Sequence, residues 1–304
     1  MIYTVTFNPS VDYVVRLDEV EVGGLNRTGD TEKYAGGKGI NVSRVLKELG
    51  TDSTALGFCG GFTGEFIKSI LKSQGIPHDF VEIEEDTRIN IKLKTSSETE
   101  INANGPKITD NNIESLKRQL LGLTKDDHVV FAGTIPKGHD LLYKELAQIL
   151  YEKNVSFTID AEGEKLTSTL QYKPYLIKPN LFELENIVNN KLNSDKEIVI
   201  AAKKLQAQGA ENILVTLGGN GAIFIGKEKQ FRVPSPKGAL RNSVGAGDST
   251  VAGFISKRDK STEEQIRYAI ACGSATAFSD DLAGHEEIEA LIPKIQINPI
   301  EEVR

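Results

Sequence analysis

The feature that most restricts the fold of this chain is a regular alternation of strand-like and helix-like patterns after Gly105-Pro106. The apolar runs that predict strands are Val129–Ala132, Val155–Ile159, Tyr175–Ile177, Ile213–Leu217 and Ala222–Ile225. The helical patterns are Asp110–Leu121, Asp140–Tyr151, Ser194–Gln208, Gly247–Ser256 and Thr262–Phe278. Strands that alternate with helices of ten or more residues predict a mainly parallel sheet with helices on both faces. We therefore predict an α/β chain with a three-layer αβα fold.

The remaining segments complete this sheet or depart from it. Buried strands are predicted at Ile2–Phe7 and Thr54–Cys59, and residues 282–297 predict a closing helix with an edge strand at Ile295–Ile297. Two segments, approximately 13–34 and 87–104, instead show the alternation of half-buried strands. We expect these two segments to pair with each other as a small β-sheet lid inserted into a single domain spanning residues 1–304.

Composition and charge narrow the classes of partner. The formal net charge of −7 argues against binding to nucleic acid or to anionic membranes, so an anionic substrate needs a local basic cluster. The first residues lack the basic start and apolar core of a signal peptide, and no run approaches membrane-spanning length. Cys59 and Cys272 lie among apolar and small residues, which indicates buried free thiols in a reducing compartment. We expect a cytoplasmic protein.

The stretch from Asn242 to Phe254 concentrates the residue types of an anion site. Gly245, Gly247 and Asp248 lie at the start of a helical pattern that begins near Ala246. Glycines let a ligand approach the main chain, and the free amides of a first helical turn favour an anion. Phosphoryl transfer needs such amides together with a carboxylate that takes the proton of the acceptor hydroxyl. A plain helix cap is the alternative reading of Asp248, and in either role we expect the helix dipole to lower its pKa.

Other polar loops follow the predicted strands, where open α/β sheets bind ligands. Asp12 follows the first strand, and Asp160 follows a later one. The glycine-rich stretch from Ala35 to Asn41 carries Lys38 and opens a helix, a combination that suits a sugar hydroxyl or a phosphate. For both Asp12 and Lys38 an ordinary turn or surface role stays open.

Two further motifs have equally balanced interpretations. Asn180 and Glu183 are three residues apart at a helix start, so they form either a capping box or a pair that holds the water shell of Mg²⁺. The glycine-rich turn from Thr216 to Ala222 joins two strands, either as a plain hairpin or as a nucleotide site with exposed backbone.

Taken in order, these motifs resemble those of the ribokinase-like (phosphofructokinase B type) sugar kinases, over essentially the whole chain. The matching stretches are Gly36–Asn41, Lys178–Asn180 with Glu183, Leu217–Ala222 and Val244–Ser249. The chain is most similar to the phosphosugar branch of the family, through Asn8–Asp12, Gly23–Arg27, Thr87–Asn90 and Glu98–Asn102. It departs from the usual family pattern at Asn242-Ser243 and at Gly133-Thr134-Ile135-Pro136.

The resemblance implies a role for each matching residue. Asp248 matches the catalytic base, and the amides of Gly245, Ala246 and Gly247 match the anion hole. Asn180 and Glu183 match the pair that organises Mg²⁺, mainly through water. The positions that match ATP-binding residues are Lys178, Asn180, Thr216, Gly218, Gly219, Gly221, Ser243 and Ser274. Those that match sugar-binding residues are Asp12, Gly37, Lys38 and Asn41, with Arg88 and Arg27 for the substrate's phosphate.

The resemblance also implies an activity: ATP-dependent phosphorylation of the C6 hydroxyl of fructose 1-phosphate, with Mg²⁺. A kinase of tagatose 6-phosphate stays open as the alternative, and a non-catalytic phosphosugar- or nucleotide-binding regulator is the remote one. The expected partners are a phosphosugar and ATP, and the expected assembly is a homodimer formed through the β lid. Dependence on a monovalent cation stays open.

Overall fold

The computed structural model describes residues 1–135 and 137–301, so Pro136 of the loop after the middle strand lies outside the described residues. The strands are β1 Ile2–Thr6, β2 Ser10–Arg16, β3 Thr31–Gly36, β4 Ser53–Gly60, β5 His78–Ile83, β6 Arg88–Lys94, β7 Glu98–Asn102, β8 His128–Ala132, β9 Ser156–Asp160, β10 Leu176–Ile177, β11 Asn212–Thr216, β12 Ala222–Ile225, β13 Gln230–Val233 and β14 Asn298–Pro299. The α-helices are α1 Lys38–Glu48, α2 Gly61–Ser73, α3 Asp110–Leu121, α4 Leu142–Glu152, α5 Gly163–Thr167, α6 Leu181–Val188, α7 Asp195–Ala207, α8 Ala246–Ser256, α9 Thr262–Ala277 and α10 His285–Leu291.

The large sheet has the strand order β14-β13-β12-β11-β10-β9-β8-β1-β4-β5. Every pairing from β5 to β11 is parallel, and the pairings from β11 to β14 are antiparallel. The predicted mainly parallel sheet is therefore confirmed. The predicted edge strand at 295–297 is wrong in position, because the chain pairs with β13 only at Asn298–Pro299.

Helices cover both faces of this sheet. On β8, Val129 and Phe131 belong to the apolar cluster on one face, whereas Val130 belongs to the cluster on the other. The first cluster includes residues of α3, α4 and α7, and the second includes residues of α1, α8 and α9. Burial on both faces explains why the central strands have continuous apolar sequences. The predicted three-layer arrangement is confirmed.

A second, four-stranded sheet has the order β3-β2-β6-β7. β2 pairs parallel to β6, so the two inserted β segments do pair with each other rather than with the large sheet. The ribbon expected between residues 14 and 34 is formed only at its two ends, because residues 17–30 contain turns and no strand. The sheet stands at one edge of the large sheet's ligand side, where β1 leads directly into β2 across 7–9.

Several elements escaped sequence interpretation. They are β5, β13 and α5, all short or partly exposed, whereas the helix start predicted at Asn180 and Glu183 is the start of α6. Cys59 and Cys272 are buried free thiols, as predicted, and burial raises the pKa of Cys59 to about 12. Among the residues that the structure describes, no helix is both long enough and apolar enough to cross a membrane.

Candidate active site

A large cavity of about 1180 Å³ lies between the carboxyl ends of the parallel strands and the small sheet. It is large for a small-molecule site, since such pockets usually span about 300–1,000 Å³. Residues from β1, β8 and β9 form its floor, and residues from β2, β6 and β7 form one wall. All but one of the residues named as site candidates from sequence line this cavity; the exception is Arg27.

The first turn of α8 supplies the cavity's amide donors. Gly245 precedes the helix with φ +79°, and a side chain there would also lie 2.5 Å from Leu282. The backbone amides of Gly245, Gly247 and Asp248 make no hydrogen bond within residues 1–135 and 137–301, whereas that of Ala246 contacts the Ser243 carbonyl oxygen at 3.4 Å. Of the predicted anion-hole amides, those of Gly245 and Gly247 are therefore free within the described residues, and the free amide of Asp248 lies in the same turn. Free amides at the start of a helix can bind an anion.

Asp248 itself is buried, with its side chain in the same turn. Its Oδ2 accepts a hydrogen bond of 2.9 Å from Nδ2 of Asn41, one turn into α1. Burial and then the charge of Asp160 raise the pKa of Asp248 to about 6, against the lowering effects of Lys38, Asn41 and Lys178. The expectation that the helix dipole would lower this pKa is wrong. Desolvation and a second buried carboxylate outweigh the dipole here.

Asp160, at the end of β9, lies between two cavity lysines. Its Oδ1 is 3.2 Å from Nζ of Lys178, and its Oδ2 is 3.6 Å from Nζ of Lys38. Burial raises the pKa of Asp160, but the charges of Lys178 and Lys38 outweigh burial, and the pKa lies below its usual value. The same pairing raises the pKa of Lys38. A Cβ on Gly247 would lie 3.1 Å from Nζ of Lys178, so this ammonium group lies beside the free amides of α8.

Asn180 and Glu183 form a capping box at the start of α6. Asn180 donates its backbone N–H to Glu183 Oε2 at 2.9 Å, and Glu183 donates its own to Asn180 Oδ1 at 2.8 Å. Both side chains also line the cavity. The cap engages only one oxygen of the Glu183 carboxylate, which leaves Oε1 for another ligand. The capping interpretation and a role in ligand binding are therefore compatible.

The opposite end of the cavity is built from the β11–β12 turn and from α9. Gly221 has φ +88°, and a Cβ there would overlap the Val233 carbonyl oxygen. A Cβ on Gly273 would overlap the hydroxyl of Thr250, so the backbone of α9 is bare where it faces α8. The other lining residues at this end include Thr216, Gly218, Gly219, Ser243, Ser274, Ile270, Ala277 and Phe278. Bare backbone beside an apolar wall suits a nucleotide's phosphates and its base.

The small sheet supplies charged residues to the cavity wall formed by β2, β6 and β7. Arg88 donates to the carbonyl oxygens of Asn8 at 3.1 Å and Ala103 at 3.0 Å, which fixes its guanidinium beside the cavity. Asp12, Asn90, Lys92, Glu100 and Asn102 line the cavity from the same sheet. Arg27 lies on the exposed segment 17–30 and does not line the cavity.

Sequence interpretation missed several lining residues. The sequence marks Asp160 only as a residue after a strand, and its lysine partners are separated from it by 18 residues or more along the chain. Asn90 and Lys92 do carry a signal in the sequence: they alternate with Ile89, Ile91 and Leu93, so they share one face of β6 with Arg88. The segment from Ser235 to Leu240 also lines the cavity and has no distinctive pattern.

Several known proteins are similar to this chain in sequence or in structure. The family model described as pfkB family carbohydrate kinase matches residues 5–285. The chain is 46% identical over 301 residues to the 1-phosphofructokinase of Bacillus subtilis, covering 98% of this chain and 99% of that protein. It is 37% identical to the D-tagatose-1-phosphate kinase of Bacillus licheniformis, with the same coverage. It is also similar to phosphofructokinase-2 from Escherichia coli in complex with fructose-6-phosphate, with a TM-score of 0.91 and 28% identity over 96% of this chain and 98% of that one.

Proposed function

Because this chain belongs to the pfkB family of carbohydrate kinases, we propose that it transfers the terminal phosphoryl group of ATP to the C6 hydroxyl of fructose 1-phosphate, giving fructose 1,6-bisphosphate. The observation that carries the chemistry is the buried carboxylate of Asp248 in the same helical turn as free backbone amides. Phosphoryl transfer needs these two groups side by side. The choice of sugar rests on the similarity to 1-phosphofructokinase over the full chain.

Asp248 is the proposed base. Its hydrogen bond from Asn41 fixes one carboxylate oxygen, and the other oxygen is free to accept the proton of the C6 hydroxyl. A pKa near 6 makes it a stronger base than an ordinary aspartate while leaving it mostly ionised at neutral pH. Proton transfer in phosphoryl transfer is late, so a base of this strength is sufficient.

In this proposal, fixed hydrogen-bond donors hold the phosphoryl group during its transfer. The amides of Gly245, Gly247 and Asp248 would face its oxygens, and the ammonium of Lys178 lies beside them. Lys38 lies on the other side of Asp160, so the two lysines bracket one buried carboxylate. Preorganised donors of this kind stabilise developing charge without rearrangement during the reaction.

The residues present fit a bound Mg²⁺. Glu183 keeps one carboxylate oxygen outside the capping box, and Asn180 and Glu183 both face the cavity. Mg²⁺ prefers one or two protein carboxylates together with waters and phosphate oxygens. The ion, when bound, neutralises the phosphates of ATP and orients them.

The sugar lies against the small sheet in this proposal. Asp12 and Asn41 bind ring hydroxyls, Gly37 gives close access to the backbone, and Arg88 receives the C1 phosphate. At Gly37, φ is +122° and a Cβ would lie 2.6 Å from Thr6, so only glycine fits there. The small sheet then acts as a lid, and we propose that it belongs to one domain with the rest of the chain.

A kinase of a tagatose phosphate is the second candidate, favoured by the 37% identical D-tagatose-1-phosphate kinase. A substrate panel separates the candidates: kcat/KM is measured with ATP for fructose 1-phosphate, tagatose 1-phosphate and tagatose 6-phosphate. We expect the highest value for fructose 1-phosphate. A higher value for either tagatose phosphate would replace the proposed substrate, and no ADP release with any sugar would favour a non-catalytic regulator.

A further inference from the structure

The face of the small sheet toward the cavity carries polar residues, Asn90 and Lys92 among them, that have no role in the proposed function. Arg88, Asn90 and Lys92 alternate along β6 and all line the cavity. The strand register places Asn90 opposite Asp12 of β2, and Lys92 opposite Glu100 of β7. Side chains opposite each other on one face of a sheet are close enough to interact, so this face brings Lys92 between two carboxylates.

Asp12 has one oxygen already occupied. Its Oδ1 accepts hydrogen bonds from Ser10 Oγ at 2.7 Å and from Asn90 Nδ2 at 3.2 Å. The carboxylate also packs against Gly36, where a Cβ would lie 2.6 Å away. The carboxylate is therefore fixed in orientation, and Oδ2 is the oxygen that remains for a ligand.

Lys92 lies beside that remaining oxygen. Its Nζ is 3.4 Å from Asp12 Oδ2 and 4.0 Å from Glu100 Oε1, and its side chain is only 12% exposed. Within the described part of the chain, the ammonium group donates no hydrogen bond. An ammonium carries three donors, so a largely enclosed lysine held only by two long ion pairs has N–H groups to offer to a ligand in the cavity.

From this arrangement, and resting on the proposed function, we propose that Asp12 and Lys92 together bind the ring hydroxyls of the phosphosugar, with Lys92 determining which epimer is accepted. A carboxylate only accepts and an ammonium only donates, whereas a hydroxyl does both. A hydroxyl between them donates to Asp12 Oδ2 and accepts from Lys92 Nζ. Inverting the carbon moves the hydroxyl to the other ring face and leaves both partly enclosed charges without that partner. Sites built to hydrogen-bond a substrate hydroxyl strongly reject analogues in which that hydroxyl is misplaced.

The test compares two sugars that differ only in the configuration of one hydroxyl-bearing carbon. Fructose 1-phosphate and tagatose 1-phosphate share the C1 phosphate and the C6 hydroxyl and differ in configuration at C4. Loss of the Lys92 charge weakens attraction of any doubly charged phosphosugar equally, so a change in the ratio of kcat/KM between the two epimers reports hydroxyl recognition alone.

In Lys92→Met, a side chain of similar length keeps the packing of the stem but has no donor. We expect KM for fructose 1-phosphate to rise roughly ten- to hundredfold, the usual effect of losing a hydrogen bond from a charged group. The preference for fructose 1-phosphate over tagatose 1-phosphate should fall by a similar factor, while KM for ATP changes little. Lys94→Met is the matched control, since Lys94 is two residues further along β6 and does not line the cavity. It should keep the parent's epimer preference.

The outcomes separate this inference from the proposed function. If the unmodified protein does not phosphorylate fructose 1-phosphate, the proposed function is wrong. If it does, but Lys92→Met keeps the parent's epimer ratio, or the parent has no preference between the epimers, the role of Lys92 is wrong. The melting temperature establishes that each variant is folded. Lys92→Gln, with a shorter neutral donor, should shift the ratio in the same direction and provides the test if the methionine variant does not fold.

Discussion

Asp248 illustrates how one side chain's properties depend on its neighbours. The helix start stabilises a negative charge, but burial and the carboxylate of Asp160 act in the opposite direction and prevail. Lys38, Lys178 and Asn41 moderate the shift, which leaves the pKa at about 6. The local sequence predicts only the dipole, because Asp160 is 88 residues away along the chain.

The raised pKa predicts a pH dependence of turnover. A base must be ionised, so kcat at saturating concentrations of both substrates should fall about tenfold per unit as pH decreases below the pKa of Asp248. We expect a midpoint at or above pH 6, because bound phosphates add negative charge around this carboxylate. Initial rates between pH 5 and 8 provide the measurement. A kcat that stays constant over this range would rule out Asp248 as the base.

Asp248→Asn should lose activity and gain stability. Removing a general base costs roughly 10²–10⁴-fold in rate. The folded-state pKa lies above the unfolded value of about 3.9, so the ionised carboxylate destabilises the fold; this cost is absent below pH 4 and complete above pH 6. The variant should therefore melt at a higher temperature than the parent above pH 6, with no difference below pH 4.

Thermal melts across this pH range provide the check, since they involve no substrate whose own phosphate ionises near pH 6. Asp126→Asn is the control, because Asp126 is exposed and lies outside the cavity. It should change neither property. If Asp248→Asn retained activity within a few-fold of the parent, or were less stable than the parent at pH 7.5, the assignment would be contradicted.

At the scale of a helix, α6 begins with a capping box that also faces the ligand cavity. Glu183→Gln separates the two roles, because glutamine can still complete the box but has no charge to offer a cation. We expect a melting temperature close to that of the parent, with a fall of at least about tenfold in kcat/KM for ATP and a higher Mg²⁺ requirement, since hydrogen bonds and contacts to charged groups are worth about 1.5–3 kcal/mol.

Glu185→Gln serves as the control on the same helix, since Glu185 pairs with Lys191 and does not line the cavity. Normal kinetics with a lowered melting temperature in Glu183→Gln would mean that this residue is only a cap.

Two of the three glycines in the β11–β12 turn have different requirements. Gly221→Ala should destabilise the protein, because φ is +88° with ψ −132° and the new Cβ would overlap the Val233 carbonyl oxygen. Such backbone strain costs about 1–3 kcal/mol before the overlap is counted. Gly219→Ala is the matched control, since its added Cβ has no atom within 4 Å. Denaturant unfolding compares the two variants, and equal stabilities would contradict this account of the turn.

At the scale of the molecule, the small sheet leaves apolar residues exposed on the face away from the cavity. Ile101 is 55% exposed and Ile89 39% exposed, and both alternate with residues that line the cavity. Leu25 and Val22 on the neighbouring segment 17–30 are also exposed. Ile89 and Ile101 share one face of neighbouring strands, and we propose that this face forms the contact of a homodimer.

Ile101→Glu tests this assembly. In a symmetric contact, the new glutamate of one copy lies close to that of the other, and the two charges repel each other. The dimer should therefore dissociate at concentrations where the parent stays dimeric. Sedimentation velocity measures both species. Leu121→Glu is the control, because Leu121 is 51% exposed on α3, away from the small sheet. A monomeric parent, or an unaffected variant, would contradict the proposed contact.

The sequence by itself determined the fold class, the order of most strands and helices, and the glycine-rich starts of α1 and α8. These features follow from hydrophobic periodicity and from local backbone requirements, which are written in neighbouring residues. It also indicated the pairing of the two inserted β segments, although only the folded chain sets the register of β2 against β6.

The tertiary structure alone decided which distant charges meet. It brought Asp160 between Lys38 and Lys178, raised rather than lowered the pKa of Asp248, and set Lys92 beside the free oxygen of Asp12. It also left Arg27 outside the cavity. Electrostatic effects depend on distances and burial between residues far apart in the chain, and no local pattern encodes them.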